Sequence, residues 1–209
     1  MLATSNSGEI TRSGGDSVGV GDGVIVARQE PAFAEALVGV DATEQQAIDN
    51  ALIEMDGTLD KYIGDSIMAF WNAPLDVGEH AAKAAEAALR MRQALAGLNA
   101  AGAFGLPEGQ QVRIGIGIHT GLACVGNVGT QSRLNYSAVG DTVNTAARIE
   151  AACKDFATDI LVSAETARRI PRFRKRPAGE VHLRGKSHAE QVFFLDGGPE
   201  DAEVENDLP

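Results

Sequence analysis

The sequence predicts a single mixed α+β domain, one sheet with helices packed against it. Short β-prone runs come in pairs around turn residues, and an alanine-rich amphipathic helix separates those pairs. The chain has 209 residues, 44% hydrophobic and 22% charged, which suits one buried core and no internal repeat is visible.

In chain order, residues 1–46 match a folded pattern least. Up to about residue 30 they are rich in Gly, Ser, Asp and Thr, with one apolar run at 24–27 that reads as a short strand; the remainder reads as unstructured. A helical spacing then runs through Ala47, Leu52 and Met55. "TLDKYI" and "SIMAFW" read as two strands joined by Gly64-Asp65, with glycine at the first central position of a two-residue, type II′ turn. "EHAAKAAEAALRMRQALAGLN" places Ala81, Ala84, Ala85, Ala88, Met91 and Leu95 on one helical face. In "VRIGIGIHTGLACVGNVG", Val112, Ile114, Ile116 and Ile118 alternate with Arg113, Gly115, Gly117 and His119, a strand period, with Thr120-Gly121 expected to turn the chain back. A helix follows from about Thr142 to Cys153, with Asp141 as its expected N-cap. "DILVS" reads as a strand, Ser163 as the cap of a short helix, and "VHLRGKSHAEQVFFL" as a closing hairpin. The folded domain is therefore expected over 47–195, and 196–209 as an acidic, disordered tail.

A net charge of -11 and a pI near 4.8 disfavour nucleic acid and anionic membrane surfaces as partners. Cys124 and Cys153 are too few and too far apart for a disulfide framework or a zinc site, and the four histidines lack metal-ligand spacing. Arg172 to Pro177, "RFRKRP", reads as a solvated loop. No apolar run of about 18 residues occurs, so this stretch is expected to be cytoplasmic and to make no membrane contact, although a longer parent chain can carry an anchor.

Two places can carry chemistry. A carboxylate at a hairpin tip, Asp65, can meet a hydrated Mg²⁺, although aspartate is common in turns whatever their function. Asn144 and Arg148, four apart near a helix N-terminus, present an amide and a fixed cation on one stripe, suited to a ribose and a phosphate chain; a solvated helix face accounts for the same pattern.

Together, "DKYIGDSIMAFWNAP", "RIGIGIHTGLACVGNVG", "YSAVGDTVNTAARIE" and "LRGK", in that order from about Ala51 to Leu195, resemble the catalytic domain of the class III nucleotidyl cyclases. The resemblance implies a ferredoxin-like βαββαβ core with a C-terminal strand hairpin, working as a homodimer whose sites lie between the protomers. It implies conversion of ATP or GTP to a 3′,5′-cyclic nucleotide and pyrophosphate, with two Mg²⁺ or Mn²⁺ ions per site. By the same resemblance Lys61 occupies the purine-selecting position, where lysine goes with adenine, and Ser137 its purine-contacting partner. Asn144 matches the ribose-orienting asparagine, Arg148 the arginine that stabilises the transition state, Arg184 the phosphate-binding cation, and Asp65 the second metal-binding aspartate. Lysine suits adenine because an ammonium donates to the bare ring nitrogen N1, whereas guanine carries a hydrogen there.

The family's first metal-binding aspartate sits in an apolar-x-Asp-apolar segment upstream, and no such segment is found. Asp22, 43 residues before Asp65, is the candidate by spacing, in glycine-rich surroundings unlike a central strand. The resulting expectation is an adenylate cyclase domain acting on ATP; the alternatives are a catalytically inactive module that dimerises or binds nucleotide, and a guanylate cyclase.

Overall fold

A computed structural model describes residues 3–4, 10–11, 17–29, 42–64, 66–130, 133–182 and 189–199, with the backbone alone before residue 46. The strands are β1 (Ala3–Thr4), β2 (Ile10–Thr11), β3 (Ser17–Gln29), β4 (Thr58–Ile63), β5 (Ser66–Phe70), β6 (Ile114–Thr130), β7 (Arg133–Val139), β8 (Ile160–Ser163), β9 (Arg174–Val181) and β10 (Glu190–Gly197). The helices are α1 (Ala42–Ile53), α2 (His80–Ala100), α3 (Asp141–Ala152) and α4 (Ala164–Arg169).

Four antiparallel strands lie side by side in the order β6, β3, β5, β4. Numbered by appearance within β3-α1-β4-β5-α2-β6, that order is four, one, three, two, the ferredoxin-like arrangement. β8 extends the sheet parallel to β6, and the antiparallel pair β10 and β9 closes it. The expected closing hairpin over 181–195 is met in its second strand, β10, whereas the strand it pairs with, β9, lies earlier than expected and shares only Val181 with that run; 183–188 lie outside the described residues.

The period of two along each strand divides the core cleanly. Ile67, Ala69, Trp71, Ile116, Ile118, Ile160, Val162 and Leu195 face α1 and α2, where they meet Ile48, Leu52, Ala84, Ala88 and Met91. Met68, Phe70, Val125, Leu161 and Val192 face the other way, onto Ala146 and Ile149 of α3 and onto Cys153 at its C-terminal end. The two helices of the ferredoxin-like core thus share one face, and α3 covers the opposite one. Both faces are buried because β6 carries isoleucine on one side and glycine on the other. A Cβ at Gly117 would come within 2.2 Å of the Glu150 backbone nitrogen and 2.4 Å of the Ala146 carbonyl oxygen, so glycine lets helix backbone rest on strand backbone.

Two expectations change. Thr120-Gly121 does not turn the chain; β6 runs on to Thr130, and the reversal comes where Thr130 pairs with Arg133. The pair instead spans a register shift between β6 and β3, and a Cβ at Gly121 would stand 3.0 Å from Thr142 Oγ1. The small residue serves a close approach to α3, while Thr142 Oγ1 donates to the Leu122 carbonyl at 2.5 Å. Asp141 is the first residue of α3, and Gly140 (φ 143, ψ 179) holds the capping position. The carboxylate still lies in the first turn, where the helix dipole favours it.

Other local signals read directly. Ser163 Oγ accepts from the Thr166 amide at 3.3 Å, capping α4. Gly64 has φ +62 in the tight link between β4 and β5, a conformation that glycine takes without strain. The basic run 172–177 is not all loop: it enters β9, where the Arg176 guanidinium stacks 4.0 Å from the Phe194 ring and pairs with Asp196 at 3.0 Å.

Residues 17–29, of which the sequence marks only 24–27 as a strand, supply the central strand. β3 pairs with β5 from Val24 to Arg28 and with β6 from Gly19 to Gln29.

Candidate purine-recognition site

β4 and β7 bring Lys61 and Ser137 together. Lys61 Nζ donates to Ser137 Oγ at 2.7 Å across 76 residues of sequence. The outer half of β6 and its partner β7 lie over the α3 face of the sheet, where Val125 and Ala138 pack with Met68, Phe70 and Ala146, and the Tyr136 ring stands 6.2 Å from Phe70. That packing carries Ser137, 2% exposed, to the hairpin of β4 and β5.

A third residue, missed at the sequence level, completes the cluster. Ser137 Oγ donates to Asp60 Oδ2 at 2.7 Å, the Ala138 amide donates to the same oxygen at 3.2 Å, and Lys61 Nζ lies 3.3 Å from Asp60 Oδ1. The Asp60 side chain is 1% exposed and that of Lys61 39%. Strict alternation would set Asp60 and Lys61 on opposite faces of β4. The ladder is irregular here: Leu59 pairs with Ala69, yet Lys61 pairs with Met68, leaving Asp60 as an extra residue in a β-bulge. Leu59 therefore stays with the α1 and α2 core, while Lys61 shares a side with Met68 and reaches Ser137 along with Asp60. The sequence signal that could have found it is the acid immediately before the lysine, which strict alternation would place on the opposite face.

Asn144 and Arg148 stand one turn apart on α3, Asn144 exposed and Arg148 half-buried, while Ala146 and Ile149 on the same helix are fully buried. Ala146 packs in the same cluster as Ala138, so the helix that carries Asn144 and Arg148 rests beside the strand that carries Ser137. Asp65 and Arg184 lie outside the described residues.

Asp22 lies on β3 opposite Leu122. The β3 residue opposite Ser66, next to the β4–β5 turn, is Arg28. Six residues of strand separate Asp22 from Arg28, about 20 Å at the usual rise per residue. Arg28, not Asp22, is thus level with the hairpin end that the resemblance assigns to metal. Among the described residues no three His, Cys, Asp or Glu side chains stand together as a metal cluster, and a guanidinium is no ligand for a hard cation.

Residues 30–197 match the family model of the adenylate and guanylate cyclase catalytic domain. The chain is 42% identical over 144 residues to adenylate cyclase 1 of Rhizobium meliloti (strain 1021), covering 68% of this chain and 21% of that protein. It is 35% identical over 159 residues to the terminal-differentiation-specific adenylate cyclase of Dictyostelium discoideum, covering 74% of this chain and 7% of that protein. It thus spans about a fifth or less of the length of these relatives. Among solved structures it superposes on the adenylyl cyclase CyaB from P. aeruginosa with a TM-score of 0.75 at 25% identity, covering 87% of this chain and 96% of that one. The guanylyl cyclase Cya2 gives a TM-score of 0.68 at 25% identity, with 87% and 94% covered. The family match begins after β3, so the strand that fills the first position of the ferredoxin-like core lies outside it. With its core order, its α3 helix and a family match over most of its length, the chain belongs to the adenylate and guanylate cyclase catalytic domain family.

Proposed function

We propose that the chain is an adenylate cyclase domain that converts ATP to 3′,5′-cyclic AMP and pyrophosphate at sites shared between two copies. The observation that carries this reading is the Lys61–Ser137 contact, 2.7 Å, at the positions that resemble the purine-selecting pair. An ammonium gives donors only, so Lys61 meets adenine N1 and opposes the N1–H of guanine. Asn144 orients the ribose. The ribose 3′-oxygen attacks the α-phosphorus, its proton passes to solvent, and the bond to the bridging oxygen of pyrophosphate breaks. Arg148 meets the negative charge that grows on the phosphoryl oxygens, with a guanidinium that no proton transfer can neutralise. The resemblance implies divalent ions as well, which Asp65 would help to hold and which would neutralise phosphate charge; no step is assigned to them.

The two-copy arrangement has support in the surface. Ile63, Leu122, Leu134 and Val139 are 59, 74, 56 and 43% exposed and belong to the β4–β5 hairpin, β6 and β7, the elements around Lys61 and Ser137. Apolar side chains on neighbouring site elements favour burial against a second protomer.

A second reading, a module that binds nucleotide without turnover, is favoured by Arg28 at the hairpin level of β3. One experiment separates them. Purified protein is incubated with ATP or GTP and Mg²⁺ or Mn²⁺, and cyclic nucleotide is measured. Cyclic AMP that falls at least about 100-fold in Arg148→Ala supports the cyclase. ATP binding with no product supports the module, and cyclic GMP as the main product refutes adenine selection.

A further inference from the structure

We propose that Asp60 is a positioning residue that sets the hydrogen-bond polarity of Ser137 and thereby makes the purine pocket selective for a 6-amino group. The inference rests on the reading of Lys61 and Ser137 as the purine-contacting pair, and it deepens that reading.

The polarity follows from a count of protons. Lys61 Nζ has donors and no lone pair, so in its 2.7 Å contact Ser137 Oγ must accept. The hydroxyl has a single proton to give. Asp60 Oδ2 at 2.7 Å takes it in a charge-assisted bond, in preference to the Ala138 carbonyl at 3.4 Å. The Ala138 amide, a donor that cannot reverse, holds Oδ2 as an acceptor at 3.2 Å. The chain therefore runs one way, from ammonium to hydroxyl to carboxylate. What Ser137 has left for a ligand is one lone pair. Lys61, with one N–H on Ser137 and its ammonium ion-paired with Asp60 Oδ1 at 3.3 Å, keeps a donor for a ligand and offers no acceptor.

One donor beside one acceptor is the complement of adenine, whose N1 accepts and whose 6-amino group donates. Guanine and hypoxanthine reverse both, with N1–H and a 6-oxo group, so each would set donor against donor and lone pair against lone pair. A free serine hydroxyl could turn its proton outward and greet a 6-oxo group; one tied to Asp60 cannot without breaking a buried bond. The β-bulge is the device that makes this possible, because it delivers acid and lysine to the same serine. Asp60 Oδ1, buried and without a hydrogen bond of its own, keeps the carboxylate dependent on Lys61 for compensation, so the trio is held as a unit.

The test uses purified protein and three ligands: ATP, ITP with its 6-oxo group, and purine riboside triphosphate, which keeps the N1 acceptor and lacks the 6-amino group. Binding by calorimetry and turnover by product analysis are both measured. The wild type is expected to favour ATP over purine riboside triphosphate by about tenfold or more, the worth of one hydrogen bond to a buried acceptor. Asp60→Ala removes the acceptor that ties up the Ser137 proton and leaves the hydroxyl free to turn it toward a 6-oxo group; it is expected to narrow the ATP to ITP ratio by about tenfold while the preference for ATP over purine riboside triphosphate survives, because a free hydroxyl still accepts from a 6-amino group. Ser137→Ala in the Asp60→Ala background should narrow the ATP to ITP ratio no further and should remove the preference over purine riboside triphosphate, which a general loosening of the fold would not reproduce. If the wild type neither binds nor turns over ATP, the functional reading fails and this one with it. If the wild type prefers ATP and Asp60→Ala keeps the full ATP to ITP ratio, only the role of Asp60 is overturned. Should Asp60→Ala not fold, equal affinity of the wild type for ATP and purine riboside triphosphate overturns it instead.

Discussion

Gly117→Ala adds a single methyl group, and the structure makes its consequence large. The new Cβ would stand 2.2 Å from Glu150 N, 2.4 Å from Ala146 O and 2.7 Å from Glu150 Cα, whereas such contacts do not occur below 3.0 Å. All three atoms are backbone, so no side chain can swing aside. Helix α3 must lift from β6 by at least about 0.8 Å, and it is packed over the sheet through Ala146, Ile149 and Cys153. Overpacking of this kind costs about 1 to 3 kcal/mol, and a clash of backbone on backbone belongs at the upper end. For a domain of this size that lowers Tm by roughly 6 to 12 °C. The same lift moves Asn144 and Arg148, and a displacement of about 1 Å in positioned groups costs on the order of 100-fold in rate. Gly115→Ala is the control on the same strand and face. Its Cβ would meet Glu150 Oε1, a side-chain end, at 3.2 Å and Cys153 Cβ at 3.4 Å, and it should cost under about 1 kcal/mol. Thermal melts and cyclic nucleotide formation on both variants decide the matter. A Gly117→Ala protein that melts within about 2 °C of the wild type and keeps its rate would refute the direct seating of α3 on β6.

Three further expectations follow from the same geometry. Lys61→Glu replaces a donor by an acceptor beside Ser137, so the kcat/KM ratio of ATP to GTP should fall by about tenfold or more; an unchanged ratio removes Lys61 from purine selection. Leu122→Asp places a charge on a 74% exposed leucine of β6 and, counted twice in a symmetric pair, should weaken self-association by at least about 100-fold in sedimentation experiments; an undisturbed dimer puts the interface elsewhere. Burial under α3 pushes the Cys153 thiol up from its ordinary 9.0 to about 12, so the folded protein keeps a proton that the unfolded chain releases. That stabilisation is complete below about pH 9 and is lost as the pH rises toward about 12, and Cys153→Ala should flatten the alkaline fall in urea midpoint; parallel falls in both proteins would contradict it.

Where local chemistry dictates local structure, the sequence was legible. The faces of α2 and α3, the Ser163 cap, the tight β4–β5 link and strand β10 follow from spacing and turn chemistry that act over a few residues. The glycines of β6 misled, because glycine permits a turn and a close approach equally, and only the position of α3 tells which is needed. β3 was legible only at 24–27 for a related reason: its glycines weaken the strand signal, and its place between β5 and β6 is supplied by two partners remote in sequence.

The sequence by itself determined the family and the buried faces of the long helices, since these depend on side-chain identity and spacing along the chain. Only the tertiary structure decided that Asp60 joins Lys61 and Ser137, because a bulge is a mismatch between two strands and exists in neither alone. Only the tertiary structure, likewise, set Arg28 and not Asp22 level with the hairpin turn, because strand register is a relation between paired backbones that no single strand encodes.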